Sequence, residues 1–207
     1  MIDKCVVIFV EGETEEAFYQ CVKNIIRLRL GGSFDCKVEL KNVKGVSNYK
    51  KKVSRIFSKQ IIPKYPGYQL DVILCYDTDV FELSQKPPVD WNDVKKDLKQ
   101  YGARKVELVG AKKSIEDWFL KDIDGVIKYL RLPKSTIVSG ESGAKELEKL
   151  FKKANKIYIK GKKSAGFVEA LDVEYILQCI CSEIKPLCVS LGLKCTKTVK
   201  ECAKKSK

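Results

Sequence analysis

Val6-Val7-Ile8-Phe9-Val10-Glu11-Gly12-Glu13-Thr14-Glu15-Glu16 is the stretch on which the reading of this chain turns. An apolar run stops at an acidic corner that contains a glycine. Such a run, bounded by a turn signal, predicts a strand buried on both faces. Gly12 allows a tight turn at little steric cost. Thr14 is placed to cap the helix that follows, and Glu15 and Glu16 suit its positive N-terminal end. Glu11 is therefore expected at the carboxyl end of a central strand, where open α/β sheets place their chemistry.

A second apolar run, Asp71-Val72-Ile73-Leu74-Cys75-Tyr76, ends in Asp77-Thr78-Asp79. If the two strands are parallel neighbours, Glu11, Asp77 and Asp79 converge at one edge. Carboxylates held close together repel one another and are tolerated when a divalent cation neutralises them. The expected site is one for Mg²⁺, with ligand bonds of ~2.1 Å.

Outward from these strands the pattern alternates. Ala17, Phe18, Cys21, Val22, Ile25 and Ile26 recur at helical spacing, and Gly31-Gly32 ends that helix near Leu30. Cys36, Val38 and Leu40 alternate with charged residues, which predicts a half-exposed strand toward an edge. Ser47 is placed to cap a helix carrying Val53, Ile56, Phe57 and Ile61. After the strand ending in Asp77, Phe81 to Val89 reads as a loop, and Asp90 caps a helix from Trp91 to Tyr101. Lys105 to Val109 is a further strand, and Ser114 with Asp117 resembles a capping box. This alternation predicts an α/β fold, with a mainly parallel sheet flanked by helices.

The last third changes character. Residues 1–125 read as a catalytic core and residues 126–207 as a basic helical extension packed on it. Val126 to Leu132 and Ala144 to Ala154 read as helices, and Ile157-Tyr158-Ile159 as a brief extended segment. Phe167 to Leu187 reads as one long helix with Leu171, Tyr175, Ile176 and Ile180 facing inward, and Lys194 onward as a frayed basic end.

The chain has 207 residues and a formal charge of +13, which favours polyanionic partners. It contains no histidine. That excludes His-based acid–base catalysis, Ser-His-Asp triads and His-ligated zinc from within the chain. The nine cysteines lie largely in apolar patterns and read as reduced thiols of a cytoplasmic protein without zinc. Neither a signal peptide nor a membrane-spanning segment is expected. No Gly-x-x-x-x-Gly-Lys-Ser/Thr motif is present, so no P-loop ATPase is expected within the chain.

Val10-Glu11-Gly12-Glu13-Thr14-Glu15, Asp77-Thr78-Asp79 and Ser114-Ile115-Glu116-Asp117-Trp118-Phe119-Leu120, in this order, resemble the Toprim domain. The likeness is to its small RloB-like and OLD-nuclease-like members, over most of the first 120 residues and more loosely over Lys160 to Phe167. The resemblance implies a Rossmann-like Toprim sheet and Mg²⁺- or Mn²⁺-dependent phosphodiester hydrolysis. By analogy Glu11 is a metal ligand or general acid–base, Asp77 and Asp79 are metal ligands, and Glu15 and Glu116 complete a second metal site. Lys160 or Lys163 stabilises charge developing on the phosphate. Lys156, Lys160, Lys162 and Lys163 are the expected nucleic-acid contacts. Implied partners are DNA or RNA, an ATPase acting in trans and a second copy in a homodimer, with a link to antiphage defence and no membrane.

Each residue also has a plainer reading. Glu11 and Glu13 serve as helix-start anions, Asp79 caps a turn, Glu116 and Asp117 cap a helix, and Trp118 and Phe119 are core. The competing functions are a phosphatase using Asp77-x-Asp79, and a non-catalytic nucleic-acid- or partner-binding module. Phosphatases of that kind carry the motif on their first strand, which does not hold here.

Overall fold

The computed structural model describes residues 3–82, 87–140, 142–162 and 166–194. Four strands form one sheet: β1 (Lys4–Val10), β2 (Lys37–Asn42), β3 (Gln69–Asp77) and β4 (Lys105–Ala111). Their order is β2-β1-β3-β4 and every pairing is parallel. This is the flanked parallel arrangement expected of a Rossmann-like Toprim sheet. Ile8 lies opposite Leu40 on one side and Ile73 on the other.

The apolar run of β1 has the predicted consequence. Cys5 through Val10 are all fully buried. Val6, Ile8 and Val10 point to one face, and Cys5, Val7 and Phe9 to the other. Burying each such large side chain contributes about 1.5–3 kcal/mol. α1 (Glu13–Leu30) covers the first face through Phe18, Val22 and Ile26, and Gly31 ends it at φ 51°. α2 (Tyr49–Ile56) and α3 (Trp91–Gln100) cover the second. β2 lies at the edge with every side chain partly or fully exposed, as its alternation predicts.

Five further helices share the α1 face. They are α4 (Ile115–Phe119), α5 (Ile123–Leu130), α6 (Gly143–Lys153), α7 (Val173–Cys179) and α8 (Cys181–Ser190). Leu147, Leu150, Phe151, Ile176, Ile184 and Leu187 join Phe18, Trp118 and Phe119 in one apolar cluster. Trp118 and Phe119 are thus core residues, 1% and 0% exposed. Among the described residues no helix is long and apolar enough to cross a membrane.

Several local expectations are corrected. The segment from Phe167 to Leu187 is not one helix. A 3-10 turn (Val168–Ala170) is followed by α7 and then α8, which runs on to Ser190. Asp172 starts α7 by accepting from Tyr175 N–H, and its own N–H is tied to Asp122. Ile180 separates the two helices at φ −104°, ψ 18°. Tyr175, about 100° around α7 from the fully buried Ile176, is 39% exposed rather than inward. Phe81 belongs to a helical turn, Asp79–Glu82, rather than a loop. Neither Thr14 nor Ser47 caps a helix: the N-cap positions belong to Gly12 and Asn48. Asp90 does cap α3, accepting from Asn92 and Asp93 N–H.

Candidate active site

The chain passes from β1 outward to β2 and then returns across β1 to form β3. Strand order therefore reverses between β1 and β3, and the crevice beyond their carboxyl ends is where such sheets bind ligands. Glu11 follows β1 directly, and Asp77 is the last residue of β3. Glu11 Oε1 accepts from the Asp77 N–H at 3.1 Å, so the two strand ends are joined at that point. Beneath them the buried Tyr49 hydroxyl faces the carbonyls of Phe9, at 3.2 Å, and Cys75.

Asp77 is 4% exposed. Its Oδ1 accepts from Ile115 N–H at 2.9 Å, at the start of α4, and its Oδ2 lies 3.0 Å from Lys160 Nζ. The same ammonium is 3.1 Å from Asp79 Oδ2. Glu15, on the first turn of α1, and Glu116, on α4, are 7% and 0% exposed. Tyr158 donates to Glu116 Oε1 at 2.8 Å. Glu15 Oε2, Asp79 Oδ1 and Glu116 Oε2 are buried and have no hydrogen-bond partner among the described residues.

Burial and mutual repulsion set the electrostatics. Burial, then the Asp77 charge, lifts Glu11 to about 7 and Glu15 to about 8. Burial lifts Asp77 to about 6, held back by Lys160. Burial alone would lower Lys160, but Asp77, Glu116 and Asp79 hold it above the ordinary lysine range. Cys75 lies directly behind the carboxylates, and burial pushes its thiol up to about 12, which removes it as a nucleophile.

The sequence motif leaves Glu116 and Asp117 open between capping and ligation, and the structure separates them. Asp117 Oδ2 accepts from both Ser114 N–H and Ser114 Oγ, and Oδ1 accepts from Gly143 N–H. Asp117 therefore does the capping, which leaves Glu116 turned inward to the site.

Lys160 arrives from far along the chain on a loop strapped to α1. Glu13 N–H donates to the Gly161 carbonyl at 2.9 Å, and Thr14 Oγ1 donates to the Lys162 carbonyl at 2.9 Å. The approach is so close that a Cβ on Gly12 would lie 2.8 Å from Gly161 O. This close packing, not a positive φ, is what Gly12 supplies. Lys156 lies elsewhere, its ammonium 4.6 Å from the centre of the Tyr129 ring. Lys163 lies outside the described residues.

Tyr158, Thr14 and Gly161 are site residues that sequence reasoning missed. No sequence signal marked Tyr158: an Ile-Tyr-Ile alternation would place the two isoleucines inside, yet Ile157 and Ile159 are 82% and 48% exposed and Tyr158 is buried. The usual polarity is inverted there, because the buried residue has to reach a carboxylate.

No protein family matches the sequence, and no curated protein matches it. Among solved structures, the C-terminal region of the Xanthomonas campestris pv. campestris OLD protein is similar at 17% identity with a TM-score of 0.33. The match covers 89% of this chain and 99% of that one. At that TM-score the likeness carries no argument about this chain.

Among the described residues, no three Asp, Glu or Cys side chains are gathered to hold an ion as they stand. Lys160 instead lies between Asp77 and Asp79. The donor set nevertheless suits a hard cation. It is all oxygen, it holds more negative charge than one lysine offsets, and three of its buried oxygens lack any partner among the described residues.

A pH dependence follows. Carboxylates whose folded pKa is raised stabilise the fold when protonated, and that contribution is lost as pH rises through the folded values, here about 6 to 8. In EDTA the melting temperature is expected to fall between pH 5 and pH 8.5. The loss is on the order of 3 kcal/mol shared among coupled groups, or roughly 6–12 °C. Mn²⁺ at pH 8 is expected to restore it, and Glu15→Gln to flatten the profile. A metal-free melting temperature that rises across this window would contradict the buried anionic cluster.

Proposed function

We propose that the chain hydrolyses phosphodiester bonds in nucleic acid with Mg²⁺ or Mn²⁺. One observation carries the reading: Glu11, Asp77 and Asp79 meet at the switch point of the sheet with Glu15, Glu116 and Lys160 around them. Glu11, Asp77 and Asp79 would hold one ion, and Glu15 and Glu116 a second. A bound ion supplies Lewis-acid charge and lowers the pKa of water.

The chain's own residues do the rest. Glu11, lifted to about 7, is matched to holding and releasing a proton at neutral pH. Its Oε1 is fixed by the Asp77 N–H, which leaves the other oxygen to take a proton from an attacking water. Lys160 presents a fixed cation to the negative charge of a phosphate, and the Gly161 and Lys162 carbonyl contacts to α1 hold it in place. Tyr158 orients Glu116.

The resemblance to RloB-like and OLD-nuclease-like proteins extends the proposal to an ATPase acting in trans and to antiphage defence. Labelled single-stranded and duplex DNA and RNA, incubated with Mg²⁺, Mn²⁺ or EDTA, test the core of it. Cleavage with either ion and none in EDTA is expected. Cleavage that persists undiminished in EDTA would overturn the metal-dependent mechanism.

A further inference from the structure

An open cavity of about 400 Å³ is lined by Glu11, Glu15 and Lys160 of the site together with residues whose side chains the mechanism does not use. Its volume is in the range of ligand-binding clefts. Glu11, Glu13 and Glu15 line it together with Lys44, Lys160 and Lys162. Lys160 is committed to Asp77 and Asp79. The ammonium groups of Lys44 and Lys162 have no ion pair or hydrogen bond among the described residues.

Lys44 is held in place by its backbone. It sits just after β2 at φ 61°, a conformation uncommon for a residue other than glycine. Its N–H donates to Asn42 Oδ1 at 2.8 Å, and its carbonyl accepts from Asn48 Nδ2 at 2.5 Å. The next residue, Gly45, donates its N–H to the Glu11 carbonyl at 2.8 Å. The loop is thereby pinned to the first residue of the site. The backbone of Lys162 is pinned through its carbonyl and Thr14. Two lysines from distant parts of the chain, each on a held backbone, thus line one cavity next to the reacting centre.

We infer that this cavity is a subsite for the backbone phosphate adjoining the one that reacts, and that Lys44 and Lys162 are its positioning residues. The inference rests on the hydrolase reading for which phosphate is the neighbour. An anionic strand leaving the carboxylate cluster needs cationic contacts at its next phosphate, and these two lysines are the ones placed to give them.

The test is equilibrium binding of a fluorescent single-stranded oligonucleotide in EDTA, across a series of salt concentrations. Each phosphate contact on a single strand contributes about −0.7 to the slope of log K against log salt. Lys44→Gln and Lys162→Gln are each expected to make the slope shallower by about 0.7, and the double variant by about 1.4. Lys37→Gln, at the opposite end of β2, is expected to leave it unchanged. In the cleavage assay the same two variants are expected to raise KM more than they lower kcat.

A slope unchanged in both single variants and the double variant overturns the subsite, even if wild-type cleavage proceeds. A slope that falls as expected in a protein that cleaves nothing supports the subsite and counts against the hydrolase. Equal slope losses in Lys37→Gln would also overturn it, because the effect would then be general surface charge.

Discussion

Asp77→Asn is expected to reduce Mg²⁺- or Mn²⁺-dependent cleavage on the order of 10²–10³-fold, the usual cost of one lost electrostatic contact at a reacting centre. The shape of the side chain barely changes. Asn Oδ1 can still accept from Ile115 N–H, the contact that ties β3 to α4. What is lost is the negative charge facing Lys160 and any cation. Asp77 lies amid Glu11, Glu15, Glu116 and Asp79, so removing its charge also relieves repulsion. The metal-free melting temperature at pH 8 is therefore expected to hold or rise while activity falls. Asp79→Ala is expected to act in the same direction, and Glu116→Gln to give a smaller loss, because the amide oxygen still accepts from Tyr158. A variant that loses activity only because it unfolds would show a lower melting temperature. Full cleavage by a folded Asp77→Asn protein would remove Asp77 from the mechanism.

Trp118→Ala is expected to destabilise the protein by about 3–5 kcal/mol, the range for deleting a large buried aromatic ring. Trp118 is among the largest fully buried side chains and packs on Phe18 at 5.7 Å between ring centres. Its Nε1 donates to Glu183 Oε2 at 2.9 Å, and that oxygen also accepts from Lys112 N–H. The ring thus joins α1, α4, α8 and the end of β4 at one point. Domains are stable by only about 5–15 kcal/mol, so this is a large fraction of the total. For a chain of this length it corresponds to a fall of roughly 6–20 °C in melting temperature. Activity is expected to fall with it, because α4 carries Glu116 and the N–H that Asp77 accepts. Trp118→Phe, which keeps most of the ring, is expected to cost less. A melting temperature unchanged in Trp118→Ala would show that the ring does not anchor the core.

The sequence by itself determined the frame. An apolar run bounded by a turn signal reads as an interior strand, and its alternation with amphipathic helices favours a parallel sheet. That placed Glu11 and Asp77 each at the carboxyl end of a strand, to meet if the two strands are neighbours, and the Ser114–Asp117 spacing marked the start of α4. These features are local: each depends on side chains a few residues apart, so their periodicity and capping chemistry are written in order along the chain. The tertiary structure decided the rest. It alone turns Glu116 inward to Tyr158, which arrives from another element, and gives the capping Asp117 a second partner in Gly143. It divides the segment after Phe167, because Asp172 is claimed by Asp122, 50 residues away. It brings Lys160 to Asp79 across 81 residues and Thr14 to the Lys162 carbonyl across 148. Contacts of that span leave no periodic trace. They exist only once the sheet has fixed where the strand ends lie, and hydrogen bonding and burial then select which distant side chains meet there.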